Sequence, residues 1–412
     1  MRSKVHILQK TVLLTLAGSF IFAMYSGIRN NYGIMLSAIV DNSGISFASV
    51  SFILAVGQLI FGLVQPAFGM LAAKKGATYA FFSGVILTIT GMMLTPLCTS
   101  IGTLMLCLGI LLPAGCGAIS YGIIMGNITP KLPLSAVPTA SGIVNASSGI
   151  GNTLLSPVIS SLISAGGLMY TMRVLTIPIF LTLPVALFMG RAKKAQGEEI
   201  AKSAPPPVES TVQAPIKEVM KNALKSRNYV YLMAGFFTCG FHMALITNHL
   251  PTQIQSFGFS AETTSYAFSI YGITTVIGSV LSGSLCGKLK MKNVLAFFYG
   301  LRPITIFLFL IIPKTLLTVT LFTALFGFSG AATVPPVSGM ISKTFGAQNL
   351  AMLFGLVFFV HQIGGFFGAW LGGVCFSQLG GYTVIWCASL IFSIAASFVS
   401  YIIRSNAEPE HL

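Results

Sequence analysis

Two arginines, Arg29 and Arg302, lie inside long apolar stretches of the sequence, and no acidic residue shares those stretches. The eight acids are Asp41, Glu198, Glu199, Glu209, Glu218, Glu262, Glu408 and Glu410, placed between the stretches or in the tail. A guanidinium cannot shed its proton to escape a low dielectric. A permanent charge in such a place is costly and marks a functional position by default. With no fixed carboxylate to pair with, a mobile anion is a natural counterpart, because a carboxylate takes two parallel hydrogen bonds from the guanidinium fork. The competing role for each arginine is to bond backbone carbonyls at a helix break, or to reach back toward an interface. Three histidines, His242, His249 and His361, occupy the same kind of stretch. They are the ordinary side chains there that change charge near neutral pH.

The surroundings of these residues sharpen the reading. At helical spacing the face of Arg29 carries Phe22, Tyr25, Tyr32 and Gly33, which suits a wet, partly aromatic cavity and makes Tyr25 and Tyr32 candidate ligands. Arg302 precedes Pro303, so it either braces a proline kink or, with that face turned inward, adds a second positive charge. His242 shares a face with Thr238 and with His249, which lies toward the outer end of its stretch and reads as interfacial. His361 is central in its stretch and fits either a bond to a neighbouring helix or a role in binding and proton transfer. Gly364, Gly368 and Gly372 repeat at four residues, as do Gly283 and Gly287, a pattern for close helix contact. Pro335-Pro336 should bend its helix.

Composition dictates what positions these side chains. Over 412 residues, 54% are hydrophobic and 8% charged, too few charges to cover a soluble surface. Apolar stretches fall near 11–37, 48–72, 78–98, 101–126, 136–164 and 168–190, then near 228–251, 262–287, 293–313, 315–341, 346–377 and 381–403. None alternates at period two, which argues against a membrane β-barrel. The first stretch is too long, and lacks the small-residue site, for a cleaved signal peptide. The fold expected is all-α, with twelve transmembrane helices.

If the amino terminus is cytoplasmic, 19 of the 23 basic residues fall on that side and both termini share it. The net charge of +15 is then a matter of orientation, and no nucleic acid is expected. Residues 1–190 would form one six-helix half and 228–412 another, joined by a polar connector, 191–227, whose segment 216–227 could form a surface helix. The halves echo each other: Gly69-Met-Leu71 resembles Gly283-Ser-Leu285, and Gly142 with Ile150-Gly151 resembles Gly355 with Ile363-Gly364. Repeated six-helix units are common in secondary transporters, with the substrate site at the repeat interface. The seven cysteines are scattered without a C-x-x-C pair, which argues against zinc, iron–sulfur clusters and a disulfide framework. Phosphate-loop, zinc-protease and nucleophile-elbow motifs are missing, so neither an enzyme nor a cofactor is expected.

The segment GMLAAKKGA (69–77) resembles the loop signature of the major facilitator superfamily, although Ala73 stands where that signature usually has an acid. GIRNNYGIML (27–36), CGFHMALITNHLP (239–251), YGLRPITIFLF (299–309) and HQIGGFFGAWLGG (361–373) are similar to the bacterial branch related to monocarboxylate transporters. The resemblance implies the major facilitator fold, with first and seventh spans lining the cavity and the ninth a peripheral support. It would place His242, at the repeat position of Arg29, across the site.

These readings converge on a secondary transporter in the cytoplasmic (inner) membrane, acting as a monomer. It would move a small organic anion, foremost a monocarboxylate, by alternating access, with protons as co-substrate or a second anion in exchange. The expected substrate-binding residues are Arg29, Tyr25, Tyr32, His242, Arg302 and His361. The alternatives are a neutral or zwitterionic solute, and export of hydrophobic compounds. Export of hydrophobic cations is disfavoured by the missing membrane acid.

Overall fold

The computed structural model describes residues 2–132, 136–203, 216–346 and 349–403. Among them it is helical with no strand. The first crossing consists of α1 (Arg2–Asn30) and α2 (Tyr32–Ser43), and the next two of α3 (Phe47–Lys75) and α4 (Ala77–Leu94). The fourth is assembled from α5 (Ile101–Leu104), a π-helical stretch (Met105–Leu111), α6 (Leu112–Ala118) and α7 (Tyr121–Ile128). Helix α8 (Val137–Ser203) carries both the fifth and the sixth crossing. Its trace turns at Gly167, where φ is 69°, a conformation for which glycine has no steric penalty.

After α9 (Ile216–Lys225) come α10 (Arg227–Ser256), α11 (Ala261–Cys286) and α12 (Met291–Ile311). The tenth crossing is α13 (Leu316–Gly330), a 3-10 turn (Ala331–Thr333) and α14 (Val334–Phe345). Helices α15 (Leu350–Leu379) and α16 (Thr383–Ile402) complete the chain. Among the described residues, eleven helical segments are long and apolar enough to span a bilayer, and one of them, Thr139–Gly190, is 52 residues long. Divided at Gly167 it supplies two crossings, which gives the expected twelve.

Three features depart from expectation for identifiable reasons. The first crossing extends past residue 37 to Ser43, so Asp41 lies in its exposed last turn and not in a loop. Helix α8 runs on beyond residue 190 because Ala, Lys, Gln and Glu in RAKKAQGEE are good helix formers. The tenth crossing breaks at Ala331–Thr333, before the proline pair. The prolines instead occupy the first turn of α14, where a missing N–H costs nothing. Residues 204–215 of the connector, with the prolines of its SAPPP run, and Arg404 lie outside the described residues.

Close backbone approach organises each half in the same way. Helix α1 packs on α8 and α10 on α15. A side chain at Gly151 would collide with the backbone of Ala23, and one at Gly364 with that of Phe237. Gly368 faces the Phe241 backbone likewise. We expect Gly364→Val to lower the thermal midpoint of the purified protein by several degrees. Gly355→Ala, where a Cβ meets open space, should leave it unchanged.

The halves meet where α3 packs on α15 and where α8 packs on α11. At the end away from the Lys74-Lys75 turn aromatic rings pack across this seam: Phe47 lies tilted against Phe376 (4.7 Å between centroids) and Phe52 meets Trp370 edge-on (5.8 Å). Toward the lysine-bearing end, Gly69, Gly142, Gly283 and Gly355 meet open space.

Candidate functional site

Arg29 sits in the last turn of α1, where a cation complements the helix dipole. The helix is interrupted at the next turn by Asn31, whose side-chain amide donates to the Gly27 carbonyl (2.7 Å) and to Asn152 Oδ1 (3.1 Å). Ser156 Oγ donates to Asn31 Oδ1 (2.8 Å), and Asn152 Nδ2 donates to the Phe268 carbonyl (2.8 Å). This buried network ties the break beside Arg29 to α11 of the opposite half.

The guanidinium itself projects toward α3. Nη2 donates to Gln58 Oε1, and Cζ lies 3.9 Å from the centre of the Phe61 ring. Tyr32 and Cys116 of α6 flank it. Arg29 is only partly buried although it lies deep within the bundle. Among the described residues the acids are at helix ends or beyond the bundle, and no hydrogen bond joins Arg29 to one.

Opposite this group stands α15. Phe61 faces Phe358 (6.3 Å), and a side chain at Gly62 would contact Gln362 at 3.0 Å. His361 stacks on Phe358 at 5.3 Å with an interplanar angle of 6°, and its Nδ1 is 3.0 Å from Gln362 Oε1. It too is partly buried. Arg29 over Phe61, Phe61 edge-on to Phe358 and Phe358 stacked on His361 thus form a chain of contacts across the seam between the halves.

Behind His361 lies Cys239, which also faces Arg302. Arg302 is 0% exposed. Its Nη2 donates to the carbonyls of Ser329 (2.9 Å) and Gly330 (3.2 Å) and lies 3.5 Å from Cys239 Sγ. Those carbonyls end α13 at the break in the tenth crossing. Arg302 therefore caps a neighbouring helix, and its role does not pass through the adjacent Pro303. Its Nε and Nη1, with the Tyr299 hydroxyl, are buried with no hydrogen-bond partner among the described residues.

The remaining candidates are distributed differently. Tyr32 lies beside Arg29, whereas Tyr25 is buried in the first half near Thr88 and Thr182. His242 is fully buried and turned to α16, with Nε2 3.0 Å from the Ser389 carbonyl and Phe326 against the ring. It does not stand across from Arg29: the repeat offset specifies depth along a helix, not the direction of a side chain. His249 is also enclosed, with Nε2 2.6 Å from the Ala369 carbonyl, where the sequence pointed to an interface.

Charge-based reasoning overlooked Gln58, Phe61, Phe358 and Gln362. The two amides carried a usable signal, since each is a polar side chain within an otherwise apolar run. The phenylalanines carried none among 32.

The family profile described as Major Facilitator Superfamily matches residues 16–315 and 251–412. An uncharacterized MFS-type transporter, YcxA, of Bacillus subtilis is 25% identical over 409 residues, 95% of this chain and 96% of the relative. The oxalate:formate antiporter of Oxalobacter formigenes is 23% identical, covering 94% of this chain and 90% of its own. Monocarboxylate transporter 13 of Rattus norvegicus is 22% identical, with 97% and 92% covered. With twelve helical crossings in two halves and a profile match reaching across both, this multi-pass membrane protein belongs to the major facilitator superfamily.

Proposed function

We propose that the protein is a secondary transporter of a small organic anion, foremost a monocarboxylate. The observation that carries this reading is the guanidinium of the partly buried Arg29, held at the seam between the halves with a neutral amide as its hydrogen-bond partner. A carboxylate entering there would meet uncompensated positive charge in a low-dielectric setting, where electrostatic attraction is strong. Tyr32 and His361 border this position, while Tyr25, His242 and Arg302 support the helices around it. The names of two relatives, an oxalate:formate antiporter and a monocarboxylate transporter, lend support.

Placement follows from the same reading. The lysine-bearing face is cytoplasmic, both termini lie there, and 191–227 links two six-helix halves. In alternating access Arg29 would be open to one face of the membrane at a time. Rocking of the halves about the α3–α15 and α8–α11 seams would expose Arg29 to the other side.

Uptake of labelled pyruvate, lactate and oxalate into proteoliposomes tests the proposal. Saturable uptake of at least one is expected. Stimulation by an inward proton gradient identifies symport, and stimulation by internal anion identifies exchange. Saturable flux of a neutral solute or a hydrophobic cation, with none of any anion, would overturn it.

A further inference from the structure

We infer that Gln58 is a positioning residue of the Arg29 site: it holds the guanidinium ready for the anion without neutralising it. This rests on the anion-transport reading above. Gln58 lies in the middle of α3 with 7% of its surface exposed, and its Oε1 accepts from Arg29 Nη2. Phe61, one turn further along α3, covers one face of the same guanidinium. Together they fix the fork by one nitrogen and one face, and the other nitrogens stay free of any protein acceptor among the described residues.

The chemistry turns on the amide. A carboxylate of similar length at this position would make a bidentate ion pair and fill the place of the substrate's own carboxylate. An apolar residue would leave the arginine without its fixed partner and free to take other rotamers. An amide supplies direction and no charge, so the site keeps a net positive charge for the incoming anion. Gln58 also stands on the seam, since a side chain at Gly365 of α15 would lie 3.6 Å from its Cγ. Relative movement of α3 and α15 would thereby alter the grip on Arg29 as the carrier changes state.

The test compares wild type, Gln58→Glu and Gln58→Ala in proteoliposomes, with lactate and its neutral analogue lactamide as competing solutes. Gln58→Glu should reduce the preference for lactate over lactamide at least tenfold through a raised apparent KM for the anion. Gln58→Ala should keep anion preference but raise that KM severalfold, which stands as the test if the glutamate variant fails to fold. Lactate-induced thermal stabilisation of the detergent-solubilised protein gives an independent readout, lost in Gln58→Glu and reduced in Gln58→Ala. A wild-type protein that neither carries nor is stabilised by lactate, pyruvate or oxalate overturns this inference together with the functional reading. Wild-type anion transport with unaltered anion preference and KM in the variants overturns this inference alone.

Discussion

Arg29→Ala is expected to abolish saturable uptake of the anion while leaving the protein folded. Truncating one side of a desolvated, hydrogen-bonded charge pair costs about 2–5 kcal/mol, roughly thirtyfold to several thousandfold in affinity. Arg29 has no acidic partner among the described residues, so its removal strands no buried carboxylate. It relieves the cost of holding a cation within the bilayer, about 2.5–3.5 kcal/mol on insertion scales. The thermal midpoint should therefore hold steady or rise as transport disappears.

Arg29→Lys separates charge from geometry. Lysine keeps the positive charge but lacks a planar fork that can donate to Gln58, lie on Phe61 and still receive a carboxylate. We expect residual transport with an apparent KM raised by about an order of magnitude. Uptake by Arg29→Ala at the wild-type KM would remove the central support for an anionic cargo. The measurements are initial rates in proteoliposomes, with the melting temperature of the same preparations as control.

Much of this architecture can be read from residue types alone. Twelve apolar stretches, the lysines gathered at alternate turns and the Gly364–Gly368–Gly372 ladder all reflect strong local constraints. Where a backbone must approach another, as at Gly151 against Ala23, no residue larger than glycine fits, so the pattern survives in the sequence. Helix rotation leaves a weaker trace. His242 and Arg29 occupy matching repeat positions, yet one bonds the twelfth crossing and the other reaches the second. A side chain surrounded by apolar residues on all faces gives no periodic signal of its direction. The break at Asn31 was equally hidden, because its cause is a network with Asn152 and Ser156, more than a hundred positions away. Gln58 escaped a search for charge since its contribution depends on being neutral.

Arg302→Ala should produce the opposite signature to Arg29→Ala, a loss of stability with little change in anion affinity. The guanidinium seals the carbonyls of Ser329 and Gly330 where α13 stops, and those oxygens are out of reach of water at 0% exposure of the arginine. Within a bilayer a broken helix persists only if neighbouring groups satisfy the freed backbone. Thr333 Oγ1 also donates to the Gly330 carbonyl at 3.3 Å, so the loss falls mainly on Ser329. One orphaned buried acceptor costs about 1–3 kcal/mol. A cation lost from a partly buried helix C-terminus adds up to about 2 kcal/mol. A fall of several degrees in the melting temperature is expected, with anion KM within about twofold of wild type in the surviving fraction. Arg302→Lys should recover part of the stability, since an ammonium has the donors for these carbonyls but lacks the planar guanidinium that lies beside Tyr299. A stable Arg302→Ala protein with a tenfold weaker anion KM would instead put Arg302 in the substrate's path. Its unpartnered Nε and Nη1 would then be donors to the cargo.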